Sequence, residues 1–438
     1  MASWGAVGVS VRQFRPYPDY RGSGVEWLGE IPAHWEVKRL KHLSSVDDES
    51  LPEDTDPELE IIYVDIGNVD ASAGIAAKER YSFSTAPSRA RRVVRHGDVI
   101  VSTVRTYLKA IAAIVDPEPN LVVSTGFAVI RPRLLDFRFA AYALRAPYFV
   151  DRVVAHSVGV SYPTINATEM ACFPIVFPAL EEQHAIAAFL DRETSKIDAL
   201  VAKKERLIEL LQEKRAALIS HAVTKGLDPN ASMKDSGVEW LGEIPEDWEV
   251  RPLKRLASLR AGAAITAESI EEYGDYPVFG GNGIRGYTSS YTHEGRFPLI
   301  GRQGALCGCV NLASGRFWAS EHAVVATPRS EVDSHCLAYL LHAMSLNSYS
   351  QSAAQPGLAI ETISPLPVPM PRTGEQRAIA DFLDRETSKI DALVAKVREG
   401  IERLKEYRTA LISAAVTGKI DVREPGHSGE SRNPGAPA

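Results

Sequence analysis

Two stretches of this chain occur twice, and the order of the copies limits what it can fold into. Ser23 to Leu43 reads SGVEWLGEIPAHWEVKRLKHL and returns at Ser236 to Leu256 as SGVEWLGEIPEDWEVRPLKRL, an offset of 213 positions. EQHAIAAFLDRETSKIDALVAK at Glu182 returns as EQRAIADFLDRETSKIDALVAK at Glu375, an offset of 193. The plan is A, X, B, A, Y, B, in which X and Y, about 138 and 118 residues long, are not obviously alike. Repeated sequence implies repeated structure and repeated contacts to a partner, so two variable domains sit in duplicated frames of pseudo-twofold geometry.

A chain of 438 residues has room for two domains, each with its own core. No apolar run approaches the roughly 18 to 20 residues of a membrane span, and the start MASWGAVGVSVRQFRPYPDY lacks the layout of a signal peptide. Cys172 and Cys336 are isolated, and Cys307 and Cys309 form a C-x-C without a second pair at zinc-binding spacing. All four read as reduced core or strand residues, with no metal site, and a cytoplasmic location is expected.

The net charge of −7 runs mildly against nucleic-acid binding, which needs Lys and Arg for phosphate contacts. Position matters more than the sum. Asp47 to Glu60 carries eight carboxylates and no base, and reads as a solvated loop. Beyond it, Ile61 to Leu180 has 13 Lys and Arg against 9 Asp and Glu, a surplus of +4 that allows a local basic face. Ala257 to Gly374 has 7 bases and 9 acids and gives no such signal.

The B blocks read as long helices. A 4,3 step from Ile186 passes Leu190, Ile197, Leu200, Leu207, Leu211 and Leu218, and the same step from Ile379 passes Leu383, Ile390, Leu393, Val397, Leu404 and Leu411, which is a coiled-coil seam. Pro-rich stretches (173–179 and 365–371) stop an earlier start, and Gly226 and Gly418 stand where C-caps belong. Two matched seams in one chain predict that the helices pair with each other, antiparallel if the frame is twofold.

X and Y read as compact α/β units, strands first and a helix late. X offers strands at 61–66, 98–103, 110–115 and 121–129 and a helix at 137–154; Y offers strands at 277–279, 297–300, 307–311 and 323–326 and a helix at 333–349. Gly281-Asn-Gly-Ile-Arg-Gly286 matches G-x-G-x-x-G, but turn and strand residues follow it where a dinucleotide site needs a helix. It reads as a loop whose bare backbone can approach a ligand. No Walker A loop, H-E-x-x-H or G-x-S-x-G occurs, which favours a binding protein over an enzyme.

Tyr17-Pro-Asp-Tyr, the two SGVEWLGEIPxxW segments, the EQxAIAxFLDRETSKID helix starts and the RxALIxxAVTxG ends at Arg215 and Arg408 resemble the specificity subunit of type I restriction-modification systems, over about Tyr17 to Asp421. The resemblance implies an α/β (α+β) fold with two globular target recognition domains separated by a long antiparallel coiled coil. The corresponding division is a tail at 1–22, recognition domain 1 at 23–180, spacer helix 1 at 181–226, a linker at 227–235, recognition domain 2 at 236–373, spacer helix 2 at 374–418 and a disordered tail at 419–438. Each domain would read one half of a bipartite, asymmetric double-stranded DNA target, while the helices dock two methyltransferase subunits. The chain itself would hold no cofactor; S-adenosylmethionine, ATP and Mg would belong to the modification and restriction/translocase subunits.

Within X the family motifs are GDVIVSTVRTYLKA at Gly97 and GVSYPTINATEM at Gly159; within Y they are GGNGIRGY at Gly280, LIGRQGALCG at Leu299 and QPGLAIETISP at Gln355. They nominate Arg105, Tyr107, Lys109, Ser161 and Tyr162 in X, and Asn282, Arg285, Arg302, Gln303 and Gln355 in Y, as DNA contacts. Arg can pair with guanine, and Asn or Gln with adenine, through two hydrogen bonds each. X has Thr106 where a glycine often follows the loop arginine. Trp27, Trp35, Trp240 and Trp248 occur in both copies and are expected to pack the frame rather than stack on bases. The competing readings are a coiled-coil scaffold that reads no DNA and an enzyme of unrecognised type.

Overall fold

The computed structural model describes residues 14–70, 74–304, 306–350 and 357–423. The chain divides into two compact units: Met1–Lys203 with Glu399–Ala438, and Lys204–Arg398. Both crossings between units fall inside the long helices Leu180–Lys225 and Thr373–Val416. Each long helix therefore begins in one unit and ends in the other, so its two halves are shared between the units where the sequence division set the whole helix apart. Each unit takes one half of each helix, because the apolar faces of those halves are buried in its core.

The A blocks build the frame. In the first unit Glu30–Pro32 pairs with Tyr20–Gly22, and Glu36–Arg39 with the Pro-rich strand Pro174–Phe177. In the second, Glu243–Pro245 pairs with Met233–Asp235 and Glu249–Pro252 with Pro367–Met370. The repeat thus begins a few residues earlier in structure than in sequence, and takes in parts of the expected tail and linker. Trp35 and Trp248 are fully buried, Trp27 stacks on Tyr148 at 5.4 Å, and Trp240 packs beside the core of its unit. Gly226 and Gly418, with φ of 77° and 70°, end the two helices in the left-handed conformation that favours glycine. Lys419 to Arg423 continue in order, with Ile420 buried and the Asp421 N–H donating to the Arg15 carbonyl at 2.7 Å, which corrects the expectation of disorder there. Residues 424–438 lie outside the described residues.

X and Y share a sheet that their sequences hide. In the first unit the antiparallel order is Ile111–Ala113, Val99–Ser102, Phe127–Pro132, Ser44–Val46; in the second it is Val310–Ala319, His293–Gly301, Ala323–Pro328, Ala257–Ala261. Even the register agrees, since Val101 faces Ile111 as Ile300 faces Val310, and Ser102 faces Phe127 as Gly301 faces Ala323. X adds a second sheet of Glu79–Ser82, Glu60–Val64, Leu121–Ser124 and Ala90–Val93; Y instead extends the shared sheet with Tyr276–Gly280 and Gly283–Thr288. The expected strand 121–129 is two strands broken at Thr125-Gly126, and the expected helix 137–154 is two, Phe137–Arg145 and Pro147–Ala155, divided where proline cannot continue a helix.

A repeated set of side chains fastens each variable domain to its helix. Gln183, fully buried, accepts from the Asp136 N–H and donates to the Pro178 carbonyl, both at 2.8 Å; Gln376 accepts from the Asp333 N–H at 2.8 Å and donates to the Pro371 carbonyl at 2.9 Å. Tyr142 donates to Asp191 at 2.8 Å beside Thr194, as Tyr339 does to Asp384 at 2.8 Å beside Thr387. Gln376→Ala leaves buried donor and acceptor groups without partners, which costs about 2 to 3 kcal/mol. Denaturant unfolding followed by tryptophan fluorescence should show that loss, and a change below about 0.5 kcal/mol, an ordinary surface-substitution effect, would contradict the clamp.

The paired halves run antiparallel within each unit. In the first, Asp198 meets Arg408 at 3.0 Å while Glu182, earlier on its helix, meets Arg423 beyond the end of the other at 3.8 Å; in the second, Arg215 meets Asp391 at 3.2 Å. Ile186, Leu190, Ile197, Ile379, Leu383, Ile390, Val397 and Leu411 are buried and Leu211, Leu218 and Leu404 half-buried, but Leu200, Leu207 and Leu393 are exposed. The covered positions are instead Thr194, Val201 and Ile208, and Thr387, Val394 and Ile401. A step begun at Ile186 mistakes a residue of the globular core for the first seam position. The seam starts at Leu190, and it is masked because it includes threonines, hydrogen-bonded to Leu190 and Leu383 carbonyls, and ion-paired arginines.

Candidate nucleic-acid interface

In the first unit the loop after strand Val99–Ser102 meets the loop after the second helix of X. Val104 bridges Thr164, the Ile165 N–H donates to the Thr103 carbonyl at 2.9 Å, and the Thr106 and Ser157 hydroxyls lie 2.8 Å apart. Arg105 and Lys109 flank the single helical turn Thr106–Leu108 with φ of 52° and 51°. Left-handed backbone costs a non-glycine residue about 1 kcal/mol or more, so these bonds must hold both in place. The Arg105 guanidinium lies 4.9 Å from the Tyr162 ring centre, and Lys109 lies 3.9 Å from Asp151. Arg105, Tyr107, Lys109, Ser161 and Tyr162 thus come together, with Tyr107, Ser161 and Tyr162 exposed.

The second unit builds the same loop with different residues. Gln303 bridges Gly357 as Val104 bridges Thr164, and the Leu358 N–H donates to the Arg302 carbonyl at 2.9 Å as Ile165 does to Thr103. By this register Arg105 and Lys109 stand at the places of Gly304 and Gly308, whose φ values are 85° and 84°. The counterpart of Arg302 is Thr103, so the apparent replacement of a glycine by Thr106 was a misalignment by side-chain type.

Gly281-Asn282 forms a two-residue turn closed by Gly280 and Gly283 and leading into a strand, as the residues after it predicted. A Cβ on Gly301 would collide with the Gly281 carbonyl oxygen, so glycine lets this hairpin rest on the Arg302 loop. Asn282, Arg285 and Gln303 are exposed and Arg302 half-buried, and among the described residues neither arginine has an acidic partner. Gln355 lies outside the described residues. His322, which no motif flagged, places its Nδ1 3.1 Å from Gln303 Oε1 and accepts the Arg302 N–H on its carbonyl at 2.8 Å.

The acidic segment of X is not a free solvated loop at its start. Asp47 pairs with Arg92 at 2.9 Å, and Glu49 with Arg131 at 2.6 Å and Arg95 at 2.8 Å, while Arg131 also holds buried Asp98 at 2.8 Å. The Arg131 guanidinium, with Arg95, holds the Glu49 carboxyl below its usual range. Lys78 and Arg80 both pair with Glu118, at 2.8 and 2.9 Å. Several of the bases behind the +4 surplus are therefore neutralised within the fold, and the cationic character near the loop rests chiefly on Arg105, since Lys109 lies 3.9 Å from Asp151.

Arg105→Gly separates strain from recognition. Removing a left-handed side chain should leave stability unchanged or raise it by up to about 1 kcal/mol, while DNA affinity falls. Calorimetry and a mobility-shift assay on one preparation read both, and a joint loss would show that Arg105 holds the loop rather than the ligand. Arg302→Ala should cost about 1 to 3 kcal/mol of binding and relax specificity at one base pair if the side chain pairs with a base. Equal loss on every sequence would instead mark a phosphate contact.

No helix among the described residues is long and apolar enough to cross a membrane, and no group of three or more His, Cys, Asp or Glu among them could hold a metal ion. Cys307 and Cys336 are buried free thiols. The sequence profile of the family described as type I restriction modification DNA specificity domain matches residues 32–210 and 245–403. The specificity subunit of the Escherichia coli type I restriction enzyme EcoprrI is 42% identical over 159 residues, which are 35% of this chain and 38% of that relative. A putative type I restriction enzyme specificity subunit, MjaX, of Methanocaldococcus jannaschii is 23% identical over 429 residues, 90% of this chain and 96% of its own length. Among solved structures, one from work on assembly and conformational transition of a type I system shares the fold with a TM-score of 0.72 at 22% identity, over 89% of this chain and 99% of its own. The HsdS subunit of Thermoanaerobacter tengcongensis gives a TM-score of 0.50 at 22% identity, over 89% of this chain and 98% of its own. With both repeats matched and the same loop built in one register in each unit, the chain belongs to the type I restriction-modification DNA specificity family, as a specificity subunit carrying two copies of the family's domain.

Proposed function

We propose that each unit reads one half of a bipartite, asymmetric DNA target, the first through Thr103–Lys109 and Val158–Thr164 and the second through Gly281–Arg285 and Arg302–Gln303. The observation that carries this reading is the register-matched loop, held by the same main-chain bridge in both units and furnished with different exposed side chains in each. A shared backbone with unlike side chains suits two readers of two sequences, since base edges are distinguished by donor and acceptor pattern. The long helices space the two halves and dock two methyltransferase subunits; the exposed Leu200 and Leu393, equivalent by the 193 offset, support matched docking surfaces. The chain performs no chemistry. S-adenosylmethionine serves adenine methylation on the modification subunits, and ATP and Mg serve translocation and cleavage on the restriction subunits, in the cytoplasm.

A mobility-shift and methyl-transfer assay tests this directly. The purified chain should bind DNA weakly and methylate nothing, and addition of the methyltransferase subunit should yield tight binding and a methylated motif with two separated halves. Methyl transfer by the chain alone would refute the non-catalytic role. A complex that assembles yet binds all sequences equally would leave a scaffold without DNA reading.

A further inference from the structure

Five large apolar side chains that the first unit exposes, Tyr107, Leu108, Val158, Val160 and Tyr162, belong to the two loops of its interface. Val160 is 100% exposed and Val158 77%. Their position is fixed: the Val158 N–H donates to the Thr164 carbonyl at 2.8 Å and the Thr164 N–H to the Val158 carbonyl at 2.9 Å, closing a tight tip of residues 159–163. Inside the tip, Gly159 takes a φ of 114°, and a Cβ there would meet the Tyr162 carbonyl oxygen at 3.2 Å. Val160 is therefore an apolar group held at the end of a pinned hairpin, on the same tip as Tyr162, against which Arg105 stacks.

A valine offers no donor or acceptor, so it cannot read the polar pattern of a base. Of the groups that duplex DNA shows in its grooves, the one apolar group is the 5-methyl of thymine, in the major groove. Arg105, stacked against Tyr162 of the tip, supplies the positive charge that brings it to phosphates. Resting on the DNA-reading role proposed above, we propose that Val160 recognises a thymine of the first unit's half-site by covering its 5-methyl group, so that this unit separates T from C by an apolar contact as well as by hydrogen bonds.

The test uses the chain assembled with its methyltransferase subunits and duplexes carrying the motif found by methylome sequencing. Each thymine of the first unit's half-site is replaced in turn by deoxyuridine, which removes the methyl and nothing else, and a duplex with that half-site scrambled is the reference. Wild type should lose affinity about fourfold at one thymine, the factor that burial of one carbon group gives. Val160→Ala should bind the unmodified duplex weaker by a similar factor and show no response to that deoxyuridine. Its melting temperature should match wild type, because the side chain touches no core.

Equal deoxyuridine effects in both proteins, no effect at any thymine, or a half-site of G·C pairs alone would overturn the proposal. So would an equal loss by Val160→Ala on all duplexes, or failure of the variant to assemble, which would mark the tip as a protein contact. If scrambling the half-site weakens nothing, the DNA-reading role of the unit fails with it. If scrambling weakens binding and deoxyuridine does not, the methyl contact alone fails.

Discussion

Exchange of residues 44–173 for the corresponding segment of a relative is expected to replace one half of the methylated motif and leave the other half and the gap unchanged. The segment carries both four-stranded sheets of X and both interface loops, and its ends adjoin the frame strands Glu36–Arg39 and Pro174–Phe177, which stay native. The incoming segment must supply an N–H for Gln183 and a hydroxyl for Asp191 and Thr194, the bonds that Asp136 and Tyr142 make here. Methylation at the old half-site should fall by at least about a thousandfold, the low end of the ratio between specific and non-specific binding. Methylome sequencing reads both halves at once. A change in both halves would refute independent reading, and loss of all methylation with a folded chain would show that the frame does not tolerate the exchange.

Lengthening the spacer is expected to change the gap alone, provided both helices are lengthened together. The first helix, at 46 residues, is about 69 Å long at ~1.5 Å per residue. The stretch from Asp198 to Arg215 on one helix equals the stretch from Asp391 to Arg408 on the other, and the end of each stretch is ion-paired inside a unit. Four residues inserted after Ala202 alone therefore lengthen one connection and not the other, and one of the two pairings must break. Four inserted after Ala202 and four after Ala395 add roughly 6 Å and about 40° beyond a full turn. One base pair supplies about 3.4 Å and about 36°, so rotation matches one added pair. The methylated motif of the double insertion should have a gap longer by one base pair, while the single insertion should lower the melting temperature and abolish methylation. An unchanged gap in the double variant would exclude the helices as the ruler.

The frame was legible because its signals are side-chain patterns present twice: the buried tryptophans, the helix-forming B blocks, the terminal glycines. The phase of the seam was not, since Thr194 and Arg215 occupy covered positions through hydrogen bonds and ion pairs that a count of apolar residues passes over. The likeness of X and Y was invisible because it resides in main-chain register. Arg105 and Gly304 share a backbone conformation and nothing else, so alignment by residue type paired the wrong positions. The loops nominated in X come together, whereas the start of the acidic segment was misread because its partners, Arg92, Arg95 and Arg131, are far away in sequence. His322 had no signal, as its role depends on which loop it faces.

The division of the helices between units also sets an order of events during synthesis. Lys204–Arg398 is one uninterrupted stretch, whereas the first unit needs residues 399–423 to complete its core, where Leu411, Ile412, Ala415 and Val416 join Ile186, Leu190 and Ile197. At about 5 to 20 residues per second, the ribosome makes that last piece roughly 10 to 40 s after residue 203. The half of the protein that is translated first is therefore finished last, and for that interval its helix carries an uncovered apolar stripe. A nascent chain stalled before residue 399 should then present a folded second unit beside a first unit open to proteases and chaperones, the reverse of the usual sequence in which domains mature from the N-terminus onward.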